Sequence, residues 1–116
     1  MAYIDGIVIA VPTANKQAYL DLAIKTAAVL KAAGAIRVTE NWGDDVHLGK
    51  VTDFRRAVAA EEGEEIVFSW IEWPSKEARD AGWKVAMDDP SMQAASMPFD
   101  GKRMIYGGFA TILDEQ

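Results

Sequence analysis

Hydrophobic and polar positions alternate between two periods along the chain. YIDGIVIAV, 3–11, is β-branched and aromatic up to Pro12 and predicts a first strand, in which Gly6 marks a bulge or a close approach. Between Asn15 and Ala33, the residues Tyr19, Leu22, Ala23, Thr26, Leu30 and Ala33 recur at three- and four-residue steps, the stripe of an amphipathic helix. Thr13 or Asn15 can cap its start, and Gly34 can end it in the left-handed conformation. AIRVTENW, 35–42, predicts a second strand closed by Gly43, and the polar stretch 43–50 has no period and predicts a loop. Phe54, Ala57 and Val58 follow at helical steps behind Thr52 and Asp53. An extended arm entering a hairpin at Gly63 fits residues 53–60 nearly as well, so both readings stay open. EIVFSWIEW, 65–73, is the clearest strand and stops at Pro74. Ser75 caps a further helix to about Asp88, with the stripe Ala78, Ala81, Gly82, Val85 and Ala86 and with Trp83 and Met87 on its shoulder. Small residues there suit close packing on a sheet. Asp89 and Pro90 open a short turn to Ala95, and RMIYGGFATIL, 103–113, predicts the last strand.

Strand, helix, strand, strand, helix, strand is the ferredoxin-like βαββαβ order of an α+β fold, a four-stranded antiparallel sheet with both helices on one face. One such domain accounts for residues 1–116. Its second face should be polar if it met water, because side chains alternate faces with a period of two. It is not: Ile66, Phe68, Trp70 and Glu72 share one face while Val67, Ser69, Ile71 and Trp73 share the other. The first strand repeats the pattern, with Ile7, Ile9 and Val11 against Ile4, Val8 and Ala10. A second copy of the chain, packed sheet to sheet as a two-fold homodimer, is the expected cover, and a fold-back of the segment 43–63 over its own sheet is the rival.

Composition narrows the functional classes. The 116 residues are half hydrophobic and about a quarter charged, the balance of a globular protein. Eighteen acidic against twelve basic residues give a net charge of −6, with the basic residues scattered, so neither nucleic acid nor an anionic membrane is expected as a partner. No apolar run approaches the roughly 20 residues that cross a bilayer. MAYIDGIVIAVP lacks the basic and small-residue signature of a signal peptide, and a cytoplasmic location is expected. The absence of cysteine removes disulfides, thiolate metal sites, iron–sulfur ligation and a cysteine nucleophile. Glu61, Glu62, Glu64 and Glu65 straddle Gly63 and are expected to form a solvated turn.

Candidate chemistry is sparse. His47 is the only histidine; with Asp44 and Asp45 it forms a D-D-x-H loop, but no further His or Cys exists to complete a metal site, so no metal and no cofactor are expected. Trp42, Trp70, Trp73 and Trp83 can line an apolar pocket, although indoles are favoured in cores and interfaces as well. Arg55, Arg56, Lys102 and Arg103 flank aromatic strands, and an inward arginine could orient a carboxylate or polarise a carbonyl. Arg103 stands out, at the start of a strand carrying Tyr106, Gly107 and Gly108, the glycine pair leaving backbone room for a ligand. Glu72 shares a face with Phe68 and Trp70, where burial would suit it to acid or base work. Ser69 lies within a strand and not on a strand-to-helix elbow, so a serine nucleophile has no support. The candidate pocket set is therefore Trp42, Asp44, His47, Arg55, Trp70, Glu72, Arg103 and Tyr106.

WGDD at Trp42 to Asp45, GKVTDF at Gly49 to Phe54, VFSWIEWPSKEARDA at Val67 to Ala81 and MPFDGKRMIYGGF at Met97 to Phe109 resemble the YbaA-like family of small bacterial proteins, nearly end to end. The resemblance implies the dimeric α/β-barrel superfamily, in which two ferredoxin-like sheets pair. That superfamily spans cofactor-free monooxygenases, haem-degrading enzymes and isomerase-like proteins, so it implies a fold and no single reaction. Two functions are carried forward. One is a homodimer binding a small aromatic or carbonyl compound in the sheet–helix cleft, with cofactor-independent catalysis as an extension. The other is a non-catalytic structural or regulatory dimer.

Overall fold

The computed structural model describes residues 2–92 and 97–116. Strand β1, Tyr3–Pro12, lies at the centre, paired antiparallel on one side with β3, Glu64–Trp73, and on the other with β4, Ile105–Ala110. Strand β2, Arg37–Trp42, pairs antiparallel with β3 and closes the far edge, giving the order β2-β3-β1-β4 of the ferredoxin-like fold. Pairing is continuous through Gly6, which therefore marks no bulge. A Cβ there would come 3.2 Å from the Phe109 ring, so glycine serves close approach.

Helix α1, Lys16–Ala32, follows a short 3-10 turn at Thr13–Asn15. Neither expected residue caps it with its side chain: Thr13 donates its hydroxyl to Gly63 O, and Asn15 Nδ2 donates to Pro98 O, each tying the helix start to a distant loop instead. Gly34, at φ 119°, ends the helix as expected. The open segment 53–60 contains a helix, α2, Phe54–Ala57, whose first turn is capped by Asp53 Oδ1 accepting from Arg56 N. Ser75 caps α3, Lys76–Met87, by accepting from Ala78 N.

The face of α3 that meets the sheet is rotated from the predicted one. Gly82 and Ala86 are buried whereas Val85 is 62% exposed, because Arg79 and Trp83 turn inward to a buried carboxylate on β1. Gly82 is the close-packing glycine the sequence suggested, since a Cβ would enter the Trp73 ring. The last strand starts later than predicted: Gly101–Arg103 form a 3-10 turn capped by Asp100, so Arg103 precedes the sheet. The turn opened by Asp89 and Pro90 is 3-10 over Pro90–Met92, and its predicted continuation to Ala95 lies outside the described residues.

The core fills the space between helices and sheet in two clusters, one around Ile9, Val11, Tyr19 and Val67, the other around Leu30, Ile71, Trp73 and Ala86. The second face of the sheet is closed at one end only. Val58, 1% exposed, packs there on Ala10 and Ile66 with Val46 and Ala60, so the segment 43–63 does fold back, but over a corner. Beyond that corner Phe68, Ile105 and Phe109 stay open at 43, 44 and 60%.

Candidate functional site

Register places three oxygen-bearing side chains on the helix-facing side. Glu40 of β2 stands directly opposite Ser69 of β3, and Ser69 stands opposite Ile7 of β1. Residues paired in this way project to the same face, with Cβ atoms about 5 Å apart. From above, α1 lowers Tyr19, whose hydroxyl donates to Glu40 Oε1 over 2.6 Å. Ser69 Oγ is buried and makes no hydrogen bond. It lies near enough to the Tyr19 oxygen to favour phenolate slightly, but without acceptable hydrogen-bond geometry. A buried hydroxyl left unpaired costs about 1 to 3 kcal/mol, a loss that natural interiors ordinarily avoid.

These groups line a cavity of about 340 Å³ between sheet and helices. Apart from Thr26 and Ser91 the rest of its wall is apolar: Ile9, Leu22, Ile71 and Phe99 contribute, with Met87, Met92, Met97 and Met104 around one side. Among the described residues no Lys, Arg or His lines it. Burial pushes the Tyr19 phenol well above its usual range, reinforced by Glu40. Burial also raises the Glu40 carboxyl, opposed by the hydrogen bond from Tyr19, although the residue as a whole is exposed on its edge strand. The arrangement can accept a proton at Glu40 and donate a hydrogen bond at Ser69, within an apolar surround that binds hydrocarbon.

A larger hollow adjoins it, sharing Ile7, Trp83, Met87 and Met104, and centres on Asp5 and Arg79. Its carboxylate and guanidinium are already matched. Asp5 Oδ2 accepts from Trp73 Nε1 at 2.9 Å and Trp83 Nε1 at 2.8 Å, while Oδ1 meets Arg79 Nε at 3.0 Å and Nη2 at 2.9 Å. Arg79 also stacks over Tyr3, and its hydrogen bonds to Asp5 hold the guanidinium firmly protonated. The room expected at Gly108 is filled by Tyr3 and Arg79, which a Cβ would strike. This hollow is wide but braced, and the smaller cavity holds the unmatched chemistry.

Of the tryptophans named as pocket liners Trp83 lines both hollows, and of the candidate pocket set Tyr106 alone reaches one of them, beside Asp5 and Arg79; the rest of that set lies elsewhere and does not converge. Trp42 packs half-buried against the Ile9 cluster under Lys16. Asp44 is exposed, and His47 lies 2.9 Å from Asp45 with both side chains about four-fifths exposed. Arg55 donates to the carbonyls of Glu64 and Glu61. Arg103 grips Glu64 through both carboxylate oxygens, at 2.7 and 2.8 Å, and also binds Asp100. Glu64 is thus no part of a solvated turn; its side chain is 7% exposed, and Arg103 holds its carboxyl down at about 2. Trp70 and Glu72 are on the second face, Glu72 beside Arg37 at 3.6 Å. Tyr106 is 76% exposed and shares a hollow with Trp70 alone of that set. Tyr19, Glu40 and Ser69 were missed as a group. Their one signal was phase, Glu40 alternating with Val38 and Trp42 as an inward position.

Comparison with known proteins follows the fold. A model of the family described as "Protein of unknown function (DUF1428)" matches residues 2–101. The chain is 60% identical over 117 residues to the uncharacterized protein YbaA of Escherichia coli strain K12, covering 99% of this chain and 100% of that one, and equally to YbaA of Shigella flexneri. Among solved structures it is similar to Rv0793 from Mycobacterium tuberculosis, with a TM-score of 0.53 at 14% identity over 99% of this chain and 98% of that one. At that identity the likeness concerns the fold. Among the described residues no helix is long and apolar enough to cross a membrane.

Proposed function

Because the chain belongs to the YbaA-like family of unknown function, DUF1428, whose membership prescribes no reaction, we propose from geometry that it is a homodimer binding an uncharged small aromatic or carbonyl compound in each sheet–helix cleft. The observation that carries the ligand reading is Ser69: a buried hydroxyl without a partner, facing a cavity of about 340 Å³. A dimer serving structure alone would fill that space with packed Phe and Trp. Here Trp83 and Phe99 reach its wall without filling it, and the four methionines beside them have flexible thioethers that adapt to ligand shape.

The dimer reading rests on the second face of the sheet. Gly6 and Gly107 face each other across β1 and β4 and leave a shallow furrow bounded by Val8, Phe68, Trp70 and Phe109. Protruding rings beside a furrow form a self-complementary patch, as two-fold pairing requires.

Thermal-shift screening against uncharged aromatic and carbonyl compounds tests the ligand reading, since a ligand at 100 times its dissociation constant adds about 2.7 kcal/mol of stability. Hits weakened by Ser69→Ala support it. A broad screen without a shift favours the structural dimer.

A further inference from the structure

Building on the cleft reading above, we propose that the cavity takes an uncharged enolisable ketone and that Glu40 moves its α-proton while Ser69 donates a hydrogen bond to the carbonyl oxygen. The donor set selects this class. Among the described residues no cation lines the cavity, and the one carboxyl there is that of Glu40, so an anionic ligand would meet repulsion without compensation. A ketone oxygen matches Ser69 Oγ, the one buried side-chain donor among the described residues without a partner, and its hydrocarbon body matches the largely apolar wall.

Position assigns the roles. Glu40 and Ser69 are cross-strand partners, so a carbonyl held at Ser69 presents its neighbouring carbon toward Glu40. Tyr19 holds one carboxylate oxygen and fixes the plane of the group, acting as a positioning residue. Burial raises the affinity of Glu40 for a proton, which strengthens it as a base. In the step, the α C–H bond breaks and its proton passes to Glu40. The electron pair forms the C=C bond of an enolate, and the carbonyl π pair moves onto the oxygen hydrogen-bonded by Ser69. Return of the proton to oxygen gives the enol, and return to carbon restores the ketone, so no oxidant, reductant or co-reactant is consumed.

The probe is 2-indanone in deuterium oxide, with loss of its methylene signal followed by proton NMR and binding followed in parallel by tryptophan fluorescence, since Trp83 lines the cavity. Exchange faster than in buffer is expected for the wild-type protein, falling about 100-fold in Glu40→Gln with binding retained. The glutamine can still accept from Tyr19, so the variant should fold. Binding with exchange at the buffer rate, or equal exchange in Glu40→Gln, overturns the proton transfer and leaves the cleft reading standing. Failure of 2-indanone to bind, while other uncharged compounds give Ser69-dependent thermal shifts, overturns the ketone class alone. Failure of every compound overturns both.

Discussion

The Tyr19 hydroxyl donates to Glu40 Oε1 across 2.6 Å, tying helix α1 to the edge strand β2. Tyr19→Phe removes the donor and leaves the ring in place. A hydrogen bond to a charged group contributes about 1.5 to 3 kcal/mol, and the lower end applies on an edge strand that water reaches. Urea unfolding should show a lower midpoint with an unchanged slope. Because burial and Glu40 hold the Tyr19 phenol above its usual range, the same variant should leave the tyrosinate absorbance change near the ordinary pKa of about 10 undiminished. A reduced amplitude there would show that Tyr19 titrates freely.

Glu40 and Glu64 should pull stability in opposite directions with pH. Glu64 is depressed from 4.5 to about 2 by Arg103, so its contribution is complete above 4.5 and is lost as pH falls through about 2. Glu40 is raised by burial: just above 4.5 the folded protein keeps a proton that the unfolded chain has released, so stability falls as pH rises toward its folded value. Glu64→Gln should therefore destabilise more at pH 6 than at pH 2. Glu40→Gln should be neutral in acid and relatively stabilising once Glu40 has ionised. Stability curves from urea unfolding across pH would refute the assignment if the two variants moved together.

Much of this fold was legible because its determinants are local. EIVFSWIEW shows both faces of β3 through simple alternation, and Pro12, Gly34, Ser75 and Gly82 mark ends and contacts by their own backbone chemistry. The site was not legible, since it depends on which residue of β2 stands opposite Ser69, and register is a non-local property. Selecting charged and aromatic residues near loops led to His47, which is solvated, and Arg103, which is already engaged by Glu64. Asp5 could have been found: it is a lone carboxylate in phase with Ile7 and Ile9, an inward position that requires partners.

Those partners make Asp5 sensitive to their loss. Arg79→Ala removes the only cation that the described residues place on a carboxylate that is 9% exposed, leaving two indole N–H groups to hold it. Breaking a buried pair from one side costs about 3 to 5 kcal/mol, and the lower end is expected because Arg79 remains 23% exposed. Arg79→Lys should recover little, lacking the fork that engages Asp5 and stacks on Tyr3. A drop in melting temperature accompanied by altered tryptophan fluorescence would confirm the coupling to Trp73 and Trp83. A drop of ordinary surface size would show that the indoles suffice.

The second face of the sheet provides the sharpest separation of folding from association. Phe109 is 60% exposed and its ring lies over Gly6, so Phe109→Lys puts a charge at the centre of the proposed contact without opening the helix-side core. Each large apolar side chain covered by the partner contributes about 1.5 to 3 kcal/mol, and charge in its place opposes association. Sedimentation velocity at low micromolar concentration should give dimer for the wild-type chain and monomer for Phe109→Lys, with unchanged far-ultraviolet circular dichroism. Wild-type monomer would end the dimer reading. Val58→Asp supplies the contrast: Val58 closes the opposite corner from within one chain and is 1% exposed, so its replacement should lower stability even where the protein is already monomeric. A face that is self-covered at Val58 and left open at Phe109 thus predicts two variants with different signatures, one losing its fold and the other losing only its partner.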